Sequence, residues 1–234
     1  TGPMAWSEWK GALLRDFFLK VLNSIENGEL VSKEVLETVA HKQQIIRDFI
    51  EGQPADQLEL LGKAALKLSP RYFVSNSETD MISHLKLYQK LGGKPFIWDI
   101  KPSTDGINRE VTVCAHDKPG LISKIAGALT LGKVNILDVQ VFTWHNNIAL
   151  DVFTVTPPPD PIFENEKWAK IEKYLERALT TDWDLAKEIN KKVKRDSAVP
   201  EALRQPVQVH SDNDSSSLFS VVEVFAYNYA GLLF

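Results

Sequence analysis

Apolar residues recur at helical spacing through the first hundred residues of the chain, which predicts four amphipathic helices there. The first covers residues 5–25, the second is capped by Ser32, the third begins at Pro54, and the fourth opens with a capping box at Ser77–Asp80. Two glycines, Gly92 and Gly93, end the fourth helix. We therefore expect a mostly helical N-terminal region.

After Gly93 the pattern changes to short apolar or alternating runs, which are typical of strands. Strands are predicted at 94–100, 110–115, 135–144, 148–156, 206–210 and 219–227, and helices at 121–131 and 167–194. From Arg109 to about Asp212 the order is β-α-β-β-α-β, the ferredoxin-like arrangement. We expect an α+β fold whose four-stranded antiparallel sheet ends with Pro206–His210, with both helices on one face and an open second face that suits a partner sheet.

One strand–turn–helix segment, Val111–Ile122, occurs a second time in degraded form at Val222–Leu233. Aligned position by position, Val, Val, Ala, Gly and Leu recur. A unit that is repeated once predicts two copies of a small module, the second beginning near Phe219.

The turn of the first copy contains the residues that predict ligand binding. In the run Asp117-Lys118-Pro119-Gly120-Leu121, Pro119 presets φ and Gly120 allows a backbone approach that a Cβ would prevent. We expect the N–H groups of Gly120 and Leu121 to face outward at a helix N-terminus, where they would bind an α-carboxylate, while Asp117 takes the α-ammonium. The alternative is that Asp117 only caps the helix and that Pro-Gly only makes a turn.

Asn135 begins the strand that follows the predicted helix. Its amide either contacts a ligand lying between two modules or caps the start of the strand. The pattern leaves these two interpretations open.

Composition narrows the class of protein. The 234 residues carry a net charge of −4, which argues against the basic face of a nucleic-acid-binding protein. The single cysteine, Cys114, excludes an internal disulfide and a cysteine-based zinc site, and its apolar strand predicts a small buried side chain. The cysteine usage indicates a reducing compartment, so we expect a cytoplasmic protein. No apolar run approaches the ~18 residues of a membrane span, and no signal peptide is visible.

No catalytic constellation is expected. The pair His116-Asp117 occurs in metal phosphohydrolases, but such sites need further His and Asp residues that converge, and the other histidines are scattered. Walker loops, nucleophile elbows and paired metal carboxylates are absent from the sequence. The chain begins at Thr1 and stops where the second copy would start its helix, so a fragment of a longer protein is expected.

The segment Arg109–Asp212 resembles an ACT domain, the amino-acid-sensing module of metabolic enzymes. Four further segments carry a resemblance to the C-terminal part of the bifunctional uridylyltransferase/uridylyl-removing enzymes of the PII signal protein: Thr1-Gly2-Pro3 with Trp6–Leu14, Leu68–Phe73, Arg109–Val113 and Val134–Trp144. That family places two ACT domains after a nucleotidyltransferase domain and an HD-type hydrolase domain. The resemblance implies a hydrolase-domain tail at 1–25, a helical connector at 26–100, a first ACT domain at 101–213 and the start of a second at 214–234.

The resemblance also implies glutamine as the sensed ligand, PII as the protein partner, and magnesium and UTP as requirements of the full-length enzyme. In related ACT domains the ligand lies between modules, against the turn between the first strand and the first helix of one module and against the second strand of another. By this resemblance, the ligand-binding turn of this chain is residues 117–121, and the corresponding strand begins at Asn135. The second copy has Asn228 and Ala230 where the first has Asp117 and Pro119, so it lacks the carboxylate.

The resemblance therefore implies a non-catalytic regulatory region that pairs through a second ACT domain or a second copy. One alternative is an ACT-type amino-acid sensor of another metabolic enzyme, which Trp6–Leu14 and Pro70–Phe73 argue against. Another is an RNA-recognition module, which has the same order of elements. That fold needs exposed aromatics on its central strands and a basic-aromatic motif, and neither is present in strands 111–114 and 148–153.

Overall fold

The computed structural model describes residues 33–65, 68–144, 147–196, 208–212 and 221–225. The chain divides into two compact units, one ending at Leu85 and one beginning at Lys86. None of the helices in these described ranges has the length and apolar character that a membrane crossing requires. The helix predicted for residues 5–25 lies outside the described residues.

The first unit is helical, as predicted. Its helices are α1 (Lys33–Glu51), α2 (Ala55–Ala65), α3 (Pro70–Ser75) and the first part of α4 (Glu78–Gln89). Buried side chains from these helices form its core: Ile46, Leu61, Tyr72, Phe73, Met81 and Leu85. Helix α3 was not predicted. It begins at a proline preceded by Ser69, whose hydroxyl accepts a hydrogen bond from the Tyr72 N–H.

The second unit contains an antiparallel sheet with helices packed on one face. Its elements are β1 (Phe96–Pro102), β2 (Arg109–His116), α5 (Leu121–Leu131), β3 (Ile136–Trp144), β4 (Ile148–Val155), α6 (Glu164–Thr180) and α7 (Leu185–Asp196). The order of strands across the sheet is β1-β2-β4-β3. Buried residues of the sheet and of α5 and α6 form one core, including Val111, Val113, Ile125, Phe153 and Ile171. The predicted α+β class and the ACT-like sheet are confirmed.

The fourth strand of this sheet is Phe96–Pro102, so the prediction that Pro206–His210 supplies it was wrong. Strand β1 pairs with β2 along its whole length. The turn between them is held locally, because the Asp105 carboxylate accepts hydrogen bonds from the N–H groups of Ile107 and Asn108. This short hairpin fills the edge beside β2 and closes only a short loop.

The predicted long helix at 167–194 is two helices, α6 and α7. The chain is extended at Thr181, and the Asp184 carboxylate accepts a hydrogen bond from the Lys187 N–H at the start of α7. Trp183, in the break, stacks on Tyr174 with ring centroids 5.9 Å apart and lies under the Arg177 guanidinium. Apolar residues keep their helical spacing through the break, so periodicity alone does not reveal it.

The second face of the sheet is not the open surface that the pattern predicted. Cys114, Phe142, Trp144 and Leu150 are all buried there. The ring of Tyr88 packs edge-on against Trp144, with centroids 5.5 Å apart. The centre of this face is therefore not an exposed surface for a partner sheet.

A second, two-stranded sheet pairs β5 (Gln208–Asp212) with β6 (Val221–Phe225). Its register repeats that of the β1–β2 hairpin. Ile100 pairs with Val111 in the first hairpin, and Ser211 pairs with Val222 in the second, each residue 111 positions after its counterpart. Val222 and Val224 are exposed, whereas their counterparts Val111 and Val113 are buried.

Candidate ligand-binding site

The turn between β2 and α5 lies where the sequence predicts it. Residues 116–120 are exposed, and α5 begins at Leu121. Gly120 has φ +80° and is the N-cap residue of α5, which makes no side-chain capping bond. The N-cap position is therefore occupied by Gly120 and not by Asp117. A Cβ on Gly120 would meet open space, so glycine is needed here for its left-handed backbone and not for a close approach within the chain.

The N–H groups of the turn are only partly available to a ligand. The Leu121 N–H donates to the Lys118 carbonyl at 3.1 Å, so it does not face outward as predicted. The first helical bond runs from the Lys124 N–H to the Gly120 carbonyl. Gly120 remains the predicted donor, supported by the positive end of the α5 dipole.

Asp117 ties the turn to the end of the β3–β4 hairpin. Its N–H donates to the Asn147 carbonyl at 2.7 Å. Its carboxylate accepts a long hydrogen bond, 3.4 Å, from the Thr143 hydroxyl. A contact of that length is weak and is readily exchanged for a better partner.

Asn135 lies at the opposite end of the sheet. Its N–H donates to the Thr156 hydroxyl at 3.0 Å, and its carbonyl accepts from the Thr156 N–H. At the turn end of the sheet, His116 and Trp144 both pair with Ile148, whereas Arg109 and Ile136 pair with Val155 at the other end. The length of strand β3 separates Asn135 from the turn, so the two are roughly 25 Å apart at the usual rise per residue.

The six predicted site residues therefore fall into two groups within one module. Residues 117–121 form one group, and Asn135 stands alone. An amino acid cannot touch both groups in the same module. They can meet on one ligand only if Asn135 comes from a neighbouring module.

The sequence interpretation missed Asp151. This residue lies in the middle of β4, is 1% exposed, and neither of its carboxylate oxygens has a hydrogen-bond partner. Burial, and next the charge of Asp117, raises the pKa of its carboxyl group from 3.8 to about 7. The signal in the sequence was one charged residue within an otherwise apolar strand, Ile148–Phe153.

Two further titratable groups, Cys114 and His116, lie in β2 near this turn. Cys114 is fully buried, as predicted, and burial together with the charge of Asp151 raises the pKa of its thiol to about 12. His116 is exposed, and the described residues contain no group of three or more His, Cys, Asp or Glu that could hold a metal ion. The chemistry available at the turn is therefore ionic and hydrogen-bonding.

A cleft of about 330 Å³ lies elsewhere on the second unit, between β1 and α6. Its wall holds the ion pair of Arg109 and Glu164, in which both carboxylate oxygens are bonded, at 2.7 and 2.8 Å. The Trp168 indole also donates to Glu164. These contacts pair the charges of Arg109 and Glu164 and tie the start of α6 to β2.

The ACT domain family matches residues 111–189. Over its full length the chain is 30% identical to a curated bifunctional uridylyltransferase/uridylyl-removing enzyme of Rhodospirillum rubrum. Enzymes of the same name from Erythrobacter litoralis and Azospirillum brasilense are 28% and 27% identical over 99% and 100% of the chain. The chain spans about a quarter of the length of these relatives, 25% in each case. No solved structure matches the chain.

Proposed function

We propose that this chain, whose residues 111–189 match the ACT domain family, is a glutamine-sensing regulatory part of an enzyme that uridylylates and deuridylylates the PII signal protein. The observation that carries the proposal is the similarity of the whole chain, and not of the ACT domain alone, to enzymes of that name. An ACT-type sensor of an unrelated enzyme would share only the domain.

The turn supports the binding of an amino acid. Its exposed backbone at the N-terminus of α5 suits an α-carboxylate, and the Asp117 carboxylate beside it suits an α-ammonium. Glutamine carries a side-chain amide as well, which the Asn135 amide of a neighbouring module could both donate to and accept from. The separation of Asn135 from the turn within one module favours this shared arrangement.

The second hairpin supports a second module in the same protein. It repeats the register of β1–β2, and its exposed valines correspond to buried core positions of the first module. We infer that helices like α5 and α6 cover it in the complete protein. The edge strand β3 offers a further surface for pairing with another module or copy, since Leu137 and Val139 on it are exposed.

The energetics are those of a metabolite sensor. Glutamine has about ten heavy atoms, and roughly −0.3 to −0.8 kcal/mol per atom gives an affinity between millimolar and micromolar. A preference of about 1–3 kcal/mol for one arrangement of the modules is sufficient to regulate a distant active site. Magnesium, UTP and PII would act at the nucleotidyltransferase part of the larger enzyme, so we expect no uridylyl transfer by this chain alone.

Calorimetric titration with L-glutamine tests the proposal, with L-glutamate and D-glutamine as controls. It is run on this chain and on the full-length enzyme that contains it, together with Asp117→Ala and the matched exposed variant Asp99→Ala on β1. We expect saturable, stereoselective heat that Asp117→Ala abolishes and Asp99→Ala retains. Absence of glutamine binding by the full-length enzyme would refute the proposal, and saturable binding of a different amino acid would favour another ACT-regulated enzyme.

A further inference from the structure

The buried carboxyl group of Asp151 destabilises the fold. It stands on the helix-covered face of the sheet, opposite Val113 and Val141 and beside Phe153, with no hydrogen-bond partner for either oxygen in the described structure. A buried carboxyl group with no partner destabilises the folded state, whether it is ionised or neutral. Packing alone would favour an apolar residue at this position.

The strand register connects Asp151 to the exposed turn. Val141 pairs with Asp151, and Thr143 pairs with Ala149, so Thr143 and Asp151 are diagonal neighbours on one face of the sheet. The Thr143 hydroxyl in turn donates to the Asp117 carboxylate. These three residues form what we call the carboxylate cluster, which runs from the core to the solvent at the N-terminus of α5.

The chemistry of the carboxylate cluster suits one kind of ligand group. Two carboxylates and a hydroxyl supply several acceptor lone pairs and no fixed positive charge. A primary ammonium has three N–H donors and one positive charge, so it can bond to all three side chains and remove the repulsion between Asp117 and Asp151. A metal ion fits less well, since the described residues contain no third His, Cys, Asp or Glu near enough to complete a group of three.

We propose that Asp151, together with Asp117, receives the ammonium group of the amino-acid ligand. This inference rests on the proposed function, because it takes the ligand to be an amino acid bound at the same turn. The carboxyl group of Asp151 is buried. We expect the ammonium group to reach it by displacing the long Thr143–Asp117 hydrogen bond. Asp151 is then a binding residue that the fold tolerates, and not a structural one.

The test measures binding and stability on the same variants. Asp151→Asn and Asp151→Ser remove the charge of the carboxylate. Asp99→Asn, which changes an exposed carboxylate on the edge strand β1, is the control. Titrations of the full-length enzyme use L-glutamine and N-acetyl-L-glutamine, which lacks the ammonium group. We expect the Asp151 variants to lose at least tenfold in affinity for L-glutamine, the control to retain it, and the acetylated compound not to bind the unmodified protein. Thermal unfolding of this chain measures the effect of each substitution on stability. We expect the melting temperatures of both Asp151 variants to equal or exceed that of the unmodified chain.

Each outcome decides between the two proposals. Unchanged affinity in both Asp151 variants, or melting well below the unmodified chain, overturns the role of Asp151 and leaves glutamine sensing intact. If the enzyme binds another of the twenty amino acids instead, and the Asp151 variants lose that binding, the role of Asp151 stands while glutamine is wrong. If no amino acid binds the enzyme, both proposals fail.

Discussion

We expect the contribution of Asp151 to the free energy of unfolding to fall as the pH rises from about 4 to about 7. The pKa of its carboxyl group is raised from 3.8 to about 7 in the folded chain. Between these values the folded state keeps a proton that the unfolded state has released, so raising the pH favours unfolding. At about 1.4 kcal/mol per pKa unit, the shift corresponds to roughly 4 kcal/mol at pH 8, as an upper bound.

The variant Asp151→Asn isolates this contribution. Asparagine has nearly the same shape and does not titrate, so the two proteins should have similar stability near pH 4, with the variant increasingly more stable up to pH 8. The two neighbouring groups that interact with Asp151 are Asp117 and Cys114, and the pKa of the thiol, about 12, lies outside this range. The difference between the proteins therefore reports mainly Asp151.

Urea unfolding at a series of pH values measures the effect. Four of the six tryptophans, Trp98, Trp144, Trp168 and Trp183, lie in the second unit, so fluorescence follows mainly the domain that contains Asp151. The control Asp99→Asn, which changes an exposed carboxylate, should run parallel to the unmodified chain at every pH. If Asp151→Asn also runs parallel, Asp151 does not titrate in this range and the reasoning is refuted.

Three further predictions concern stability. Replacing Arg109 by Ala should destabilise the second unit by about 1–2 kcal/mol, because a half-buried, doubly bonded ion pair with Glu164 is lost. A double-mutant cycle with Glu164→Gln, measured by urea unfolding, should give a non-zero coupling energy, and additive effects would contradict this prediction. Gly132→Ala should lower the free energy of unfolding in urea by about 1–3 kcal/mol, because the new Cβ overlaps the buried Ile171 side chain. Ile171→Val should recover part of this loss. An equal loss from Gly132→Ala with Ile171 and with Val at position 171 would exclude the clash. Gly120→Ala should cost about 1 kcal/mol, because its left-handed φ of +80° strains any residue with a Cβ although space is open, and an unchanged melting curve would contradict this.

Local patterns predicted most of the elements and the turn. Helical spacing located α1, α2 and α4, and the Asp-Lys-Pro-Gly run located the turn before α5. The choice of the fourth strand was not predictable in this way, because Phe96–Pro102 and Pro206–His210 are equally good strands by local pattern, and the pairing of Phe96–Pro102 with β2 is visible only in the fold. The break after Thr180 was missed because the apolar spacing continues through it.

The candidate site was predicted in outline only. The sequence indicates which residues lie in the turn, but the long distance between Asn135 and the turn follows from strand register, which a single sequence does not give. Asp151 was missed because one charged residue does not disturb the apolar pattern of a strand. Its significance depends on its neighbours across the sheet, and these are visible only in the fold.

The matching registers of the two hairpins have a consequence for how such a protein assembles. Tandem units that open with equivalent strands can exchange those strands during folding, and each would then be completed by the wrong partner. The position of Trp98 distinguishes them: this ring packs edge-on against Trp168, with centroids 6.0 Å apart, whereas the corresponding residue of the second hairpin is Val209. A valine would leave that space empty, so in the two-module protein that we propose a swapped arrangement would carry a cavity that the correct one lacks. The size of one side chain would thus favour the pairing of each strand within its own module.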